Sequence, residues 1–231
     1  MNYLKLLNTH FKQTCILYFT TGANSSKSFS NQKNKNTAIQ KALFKKTLKE
    51  IRQTQLNYVV TDGKAKGNDF ESRIKSAVEE VFLKGYQNIV IVGDDTPQLS
   101  AQNLLFAAKK IADKEVIIGE SEDGGAYLIA FNKQQFYQGI LENLPWQTNQ
   151  FYQSLLCNIK SGSLSHQTLP VLQDLDDSLA VHLFINKFTS LKFAQLLKHI
   201  YIHQKFAVFI STLIDEKPIC YIKDRAPPLA A

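Results

Sequence analysis

Asn88–Leu99, NIVIVGDDTPQL, is the stretch on which the fold turns. Five residues, NIVIV, carry apolar and β-branched side chains on both faces of an extended chain. That is the mark of a strand buried on two sides, as parallel sheets require. Gly93 ends the run, two carboxylates follow, and Pro97 turns the chain. Such a loop lies at the carboxyl end of its strand, the place where open α/β sheets bind ligands. Asp94 and Asp95 could hold a hard divalent cation such as Mg²⁺ there. They could equally cap the next helix or bond turn amides.

Helical and strand patterns alternate around this segment. Cys15–Thr20 and Asn57–Thr61 read as strands, as do Glu115–Gly119 and Tyr127–Phe131. Helical spacing covers Thr37 to about Gln55, Asp69–Lys84 with Gly85 as its stop, and Ser100–Ala112. Thr21–Thr37 is polar and reads as a loop. Buried-type strands separated by helices predict an α/β sheet covered on both faces. We place one domain over 1–189 and an appendage over 190–231, with a helix at Leu191–His203 and strands at Phe206–Leu213 and Ile219–Ile222.

Composition narrows the function classes. The chain has 231 residues, 44% hydrophobic, with 15 Phe and 9 Tyr, so it can build a large core and is not disordered throughout. No apolar run approaches the roughly 18–20 residues of a spanning helix. The N-terminus lacks the pattern of a secretory signal. Three cysteines, Cys15, Cys157 and Cys220, form no CxxC, which suits a reducing cytoplasm. Cys157, among Leu155, Leu156 and Ile159, reads as a buried structural thiol. His199 and His203 stand four apart on a helix, but no acidic or cysteine partner lies near them in sequence.

The net charge is +7, and it is uneven: residues 1–66 hold 12 Lys and Arg against 2 acids. The excess could meet ligand phosphates or simply solvate a helix carrying Lys41, Lys45, Lys46 and Lys49. No stacking-aromatic motif accompanies it, so nucleic acid is not favoured.

Two further segments carry chemistry. Asp123-Gly124-Gly125, between two strands, is a hairpin-turn signal that needs no function. Asp174, Asp176 and Asp177 precede an apolar helical run. One of them caps that helix, and three acids in four residues exceed what capping needs.

Taken together these motifs resemble a bacterial family of transferases with the GT-A glycosyltransferase fold, often encoded beside radical-SAM and selenium-related proteins. It is a sister group of the 2-phospholactate and molybdenum-cofactor nucleotidyltransferases. Gly93, Asp95, Pro97 and Leu99 match its Gly-x-Asp-x-Pro-x-Leu pattern. Asp123, Gly124, Gly125, Tyr127, Leu128 and Ile129 match its Asp-Gly-Gly-x-Tyr-Leu-Ile. Trp146 with Thr148 matches Trp-x-Thr, and Asp174 with Asp176 matches the late Asp-x-Asp.

The resemblance implies a Rossmann-like three-layer sandwich with a mixed, mostly parallel sheet. It implies nucleotide or nucleotide-sugar binding through Gly22, Lys27, Arg73 and Gly93, and Mg²⁺ or Mn²⁺ held by Asp95, Asp176 and Asp174. Asp123 would be catalytic, with Gly124, Gly125, Trp146 and Thr148 on the side of an unknown acceptor. Two positions depart from the pattern: Phe29 stands where the phosphate loop has arginine, and Glu71 where the second helix opens with glycine. A metal-dependent glycosyltransferase is the main expectation. A nucleotidyltransferase of the guanylyltransferase type and a non-catalytic nucleotide-binding relative are the alternatives.

Overall fold

A computed structural model describes residues 10–20, 27–61 and 65–202. Six strands form one sheet in the order β2-β1-β3-β5-β4-β6. They are β1 (Thr14–Tyr18), β2 (Asn57–Val60), β3 (Asn88–Val92), β4 (Val116–Ser121), β5 (Ala126–Asn132) and β6 (His166–Leu172). β1 runs parallel to β2 and β3, and β4 parallel to β6, while β5 is antiparallel to β3 and β4. The sheet is therefore mixed and mostly parallel, as expected. NIVIV is β3, and every one of its residues is buried.

Strand alternation sends side chains to two cores. Cys15, Leu17, Ile89, Ile91, Ile129 and Phe131 face one side. There α2 (Phe70–Leu83), α4 (Lys133–Tyr137) and α5 (Phe151–Ser161) cover them. Ile16, Tyr18, Val90, Val92, Leu128 and Ala130 face the other, beneath α1 (Lys33–Gln53) and α3 (Ala101–Lys110). Helices thus cover both faces of the sheet in a three-layer arrangement. A third cluster joins Ala38, Ile39 and Leu43 of α1 to α6 (Ser178–Lys187) and α7 (Lys192–Ile202). The described part of the 190–231 segment is thus a helix whose Ala194, Leu197 and Ile200 are buried. The expected strands at 206–213 and 219–222, and His203, lie outside the described residues.

Three expectations need correction. α1 begins at Lys33, four residues before Thr37. Its first turn is polar because it faces solvent, and Lys35 Nζ ties it to α7 by donating to the Tyr201 carbonyl at 2.7 Å. β6 is a strand that the sequence hides. It is an edge strand, where Pro170 is tolerated and polar side chains face out. Cys157 is exposed, since α5 buries Phe151, Tyr152, Leu155 and Ile159 on its opposite face.

α2 shows why its ends fall where they do. Asp69 accepts from the Ser72 N–H at 2.7 Å, and Ser72 Oγ accepts from the Asp69 N–H at 3.1 Å, a reciprocal capping box. Gly85, at φ +94°, turns the chain just past the helix end.

Candidate active site

A cleft of about 930 Å³ opens at the carboxyl ends of β1 and β3. Its volume lies near the top of the roughly 300–1,000 Å³ range of small-molecule sites. Segments far apart in sequence build it. The strand ends supply Phe19, Gly93, Asp94 and Asp95; the start of α2 supplies Phe70 and Arg73. The β4–β5 turn brings Asp123 and Gly125, the loop before α5 brings Trp146 and Thr148, and the loop after β6 brings Asp174 and Asp176. Lys27 completes the wall. Gly22 lies outside the described residues.

The two acidic motifs are tied together by backbone. Leu175 N–H donates to the Asp95 carbonyl at 2.9 Å, and Thr96 Oγ1 donates to the Asp174 carboxylate. Ser28 forms a parallel bridge with Asp177, which sets the residue next to Lys27 beside the Asp-x-Asp segment. Asp177 is the helix cap anticipated there: its Oδ1 accepts from the Ala180 N–H at 2.8 Å at the start of α6. That leaves Asp174 and Asp176 for other work.

Lys27 takes up the centre. Its Nζ lies 2.6 Å from Asp95 Oδ2 and 2.8 Å from Asp176 Oδ1. Burial opposes the ammonium charge, but the two carboxylates outweigh it and raise the pKa above the ordinary lysine value. Asp95 shows the converse: burial works against its charge, yet Lys27 brings the pKa below the usual carboxylate value. Asp174 has no cationic partner among the described residues. Burial, with the charge of Asp95 adding to it, pushes its carboxyl up to about 8. Asp94 is likewise raised by burial and by Asp95, although Thr20 Oγ1 donates to it at 2.8 Å.

Among the described residues, no three His, Cys, Asp or Glu side chains are already gathered as a metal cage. Of the three expected ligands, two converge, Asp95 and Asp176. Asp174 stands beside them, held by Thr96. The ammonium between the pair is a stand-in cation, and oxygen donors of this kind suit Mg²⁺ or Mn²⁺. The residues present therefore fit such an ion.

The remaining expected residues divide. Asp123 Oδ1 accepts from the Gly125 N–H at 2.9 Å, which fixes the carboxylate at the rim of the turn. Gly124, at φ +86°, is pressed against the protein's own loop: a Cβ there would lie 2.2 Å from the Asn149 carbonyl oxygen. Its role in the structure is this close approach. Trp146 packs between Phe70 and Phe151, tilted to both rings, with centroids 5.4 and 4.6 Å away. Its buried Nε1 has no hydrogen-bond partner among the described residues. Thr148 Oγ1 donates to the Pro145 carbonyl at 2.7 Å and shapes the same loop. Arg73 is exposed, and its Nε donates to the Gly67 carbonyl at 3.1 Å.

Phe29 is the clearest surprise. It is 1% exposed and packs in the α1–α6–α7 cluster, so its side chain is a core residue and is not among those lining the cleft. Phe19 and Phe70 are wall residues that sequence reasoning passes over, and Asp94, weighed as a cation ligand, lines the cleft too. Asp94 was signalled by its place after Gly93, whereas the two aromatic rings carried no signal that separates them from core.

The family model described as "uncharacterized protein conserved in bacteria" (DUF2064) matches residues 31–148. The chain belongs to this family. The DUF2064 match takes in the Gly93–Leu99, Asp123–Ile129 and Trp146–Thr148 motifs and stops short of the Asp-x-Asp segment. Among solved structures, the chain is similar to a candidate nucleotide-diphospho-sugar transferase from Desulfovibrio desulfuricans G20. The TM-score is 0.73 at 18% identity, covering 85% of this chain and 97% of that one. It is also similar to a protein from Mycobacterium sp. strain JC1 named as a homologue of Rv0371c of Mycobacterium tuberculosis. There the TM-score is 0.50 at 12% identity, covering 78% and 99%. At these identities the likeness is one of fold. No curated protein matches the sequence significantly.

Proposed function

We propose that this DUF2064 protein is a glycosyltransferase that binds a nucleotide-sugar in the cleft together with a divalent cation. The observation that carries the proposal is the convergence of Asp95 and Asp176 on one cationic group, at 2.6 and 2.8 Å, at the carboxyl ends of the strands. The fold shared with the Desulfovibrio protein supports the same reading.

Asp95 and Asp176 would hold Mg²⁺ or Mn²⁺, with Asp174 beside them. The ion would offset the negative charge of a diphosphate leaving group. Lys27 and Arg73 are the cationic side chains of the cleft among the described residues and would pair with phosphate oxygens. Asp123, at the rim, would take the proton of an acceptor hydroxyl. That oxygen then bonds to the anomeric carbon as the bond to the nucleoside diphosphate breaks. The aromatic wall of Phe19, Phe70 and Trp146 would exclude water from the reacting carbon.

A thermal-shift screen of UDP-, GDP- and dTDP-sugars with and without Mn²⁺ tests the reading. Stabilisation by at least one nucleotide-sugar, dependent on Mn²⁺, is expected. No shift with any of them would count against it.

A further inference from the structure

Resting on the metal and nucleotide reading above, we infer that Lys27 is an exchangeable internal counter-ion. It holds the Asp95–Asp176 pair until a phosphate group draws it away, so that divalent cation and diphosphate bind together and neither binds well alone.

The charges in the cleft require some such exchange. Among the described residues, six carboxyl groups line it, those of Asp69, Asp94, Asp95, Asp123, Asp174 and Asp176, with Asp94 and Asp174 raised in pKa by burial; the cationic side chains are Lys27 and Arg73, so the described wall stays net acidic. A bare diphosphate entering this wall meets net repulsion. A bare divalent cation meets an ammonium already seated between its two ligands, in contact with both. Displacing that ammonium breaks its contacts with Asp95 and Asp176 while it is only 22% exposed, which is costly unless another anion compensates. A phosphate oxygen supplies the missing anion.

The backbone next to Lys27 is anchored, because Ser28 bridges Asp177. The ammonium itself sits on a flexible four-carbon stem, so it can change partners while its Cα stays in place. The cation then occupies the vacated position between Asp95 and Asp176. By linkage, the phosphate must tighten the metal by the same factor as the metal tightens the phosphate.

The test is titration of Mn²⁺ alone, followed by calorimetry or by the EPR signal of the free ion. It is run on the full chain and on Lys27→Met, Lys27→Arg and Asp95→Ala, with thermal melts to show that each is folded. Lys27→Gln replaces Lys27→Met if the latter does not fold. Lys27→Met should bind Mn²⁺ at least ten-fold more tightly than wild type, on the order of the coupling seen between linked sites. Lys27→Arg, which keeps the charge, should bind it as weakly as wild type. Inorganic pyrophosphate, corrected for its own Mn²⁺ complex, should tighten Mn²⁺ in wild type and do so far less in Lys27→Met. Equal or weaker Mn²⁺ binding in Lys27→Met, with wild-type binding that Asp95→Ala abolishes, would overturn the counter-ion role and leave the metal site standing. No Mn²⁺ binding by any variant, even with pyrophosphate, would overturn both.

Discussion

The backbone N–H of Leu175 donates to the carbonyl oxygen of Asp95 at 2.9 Å. This bond fastens the loop after β6 to the loop after β3, eighty residues apart in sequence. Because it is a backbone bond, the approach of the two loops does not depend on the charge of either carboxylate. Asp95 and Asp176 are therefore presented to one cation by the scaffold, which is the condition for a preorganised site.

Substituting either carboxylate should therefore remove binding and spare the fold. Asp95→Ala and Asp176→Ala are each expected to abolish Mn²⁺-dependent nucleotide binding in calorimetry. The double variant should lose no more than either single one, because both act on one ion. Thermal melts should shift by only a few degrees, since both side chains are partly exposed, at 26% and 50%. Unchanged binding in Asp95→Ala would remove it from the site.

Placing arginine at position 29 should not restore a phosphate contact. Phe29 is buried among α1, α6 and α7, and a guanidinium there would have no water and would lose the packing of a large ring. Loss of a buried aromatic ring alone costs about 3–5 kcal/mol. Phe29→Arg is expected to lower the urea midpoint by at least that equivalent, and Phe29→Leu by much less. A Phe29→Arg protein as stable as wild type would contradict the placement.

Gly124→Ala tests the turn that carries Asp123. The residue has φ +86° and its Cβ would strike the Asn149 carbonyl oxygen, so the turn and the 146–150 loop must separate. We expect a loss of more than about 1 kcal/mol in chemical denaturation. Gly93→Ala should be milder, because the nearest atoms its Cβ would meet are those of the Asp95 carboxylate, from 3.1 Å.

Asp174 makes the metal-free protein sensitive to pH. Its carboxyl titrates near 8 in the fold, against an ordinary value of 3.8, because of burial and the neighbouring charge of Asp95. Between these values the folded state holds a proton that the unfolded state has released. Stability contributed by this group therefore falls as pH rises from about 4 to 8. Melting in a chelator at pH 5 and pH 8 should show a smaller drop for Asp174→Asn than for wild type. Equal drops would contradict the shift.

The parts of the fold that could be read in advance announce themselves in local pattern. NIVIV has no solvent face, so its residues declare the strand, and the Asp123-Gly124-Gly125 turn follows from local backbone demands. β6 escaped because an edge strand keeps an exposed face and admits Pro170. The first turn of α1 escaped because its hold is a tertiary bond from Lys35 to Tyr201. In the site, the acidic residue types were legible, but the partner of Asp95 and Asp176 was not. Lys27 is distant in sequence from both, and only the folded backbone shows that its ammonium falls between them. For Phe29, its match to a motif position does not reveal which way the side chain points, and here the helices behind it take it.

Product release from UDP-, GDP- and dTDP-sugars in the presence of Mn²⁺, with the Asp95→Ala protein as blank, tests the central claim most directly. Metal-dependent release of a nucleoside diphosphate from at least one donor, abolished by a chelator and lacking in Asp95→Ala, is the predicted result. Wild type indistinguishable from the blank across all donors, while still binding one of them, would contradict a transferase and leave a nucleotide-binding protein.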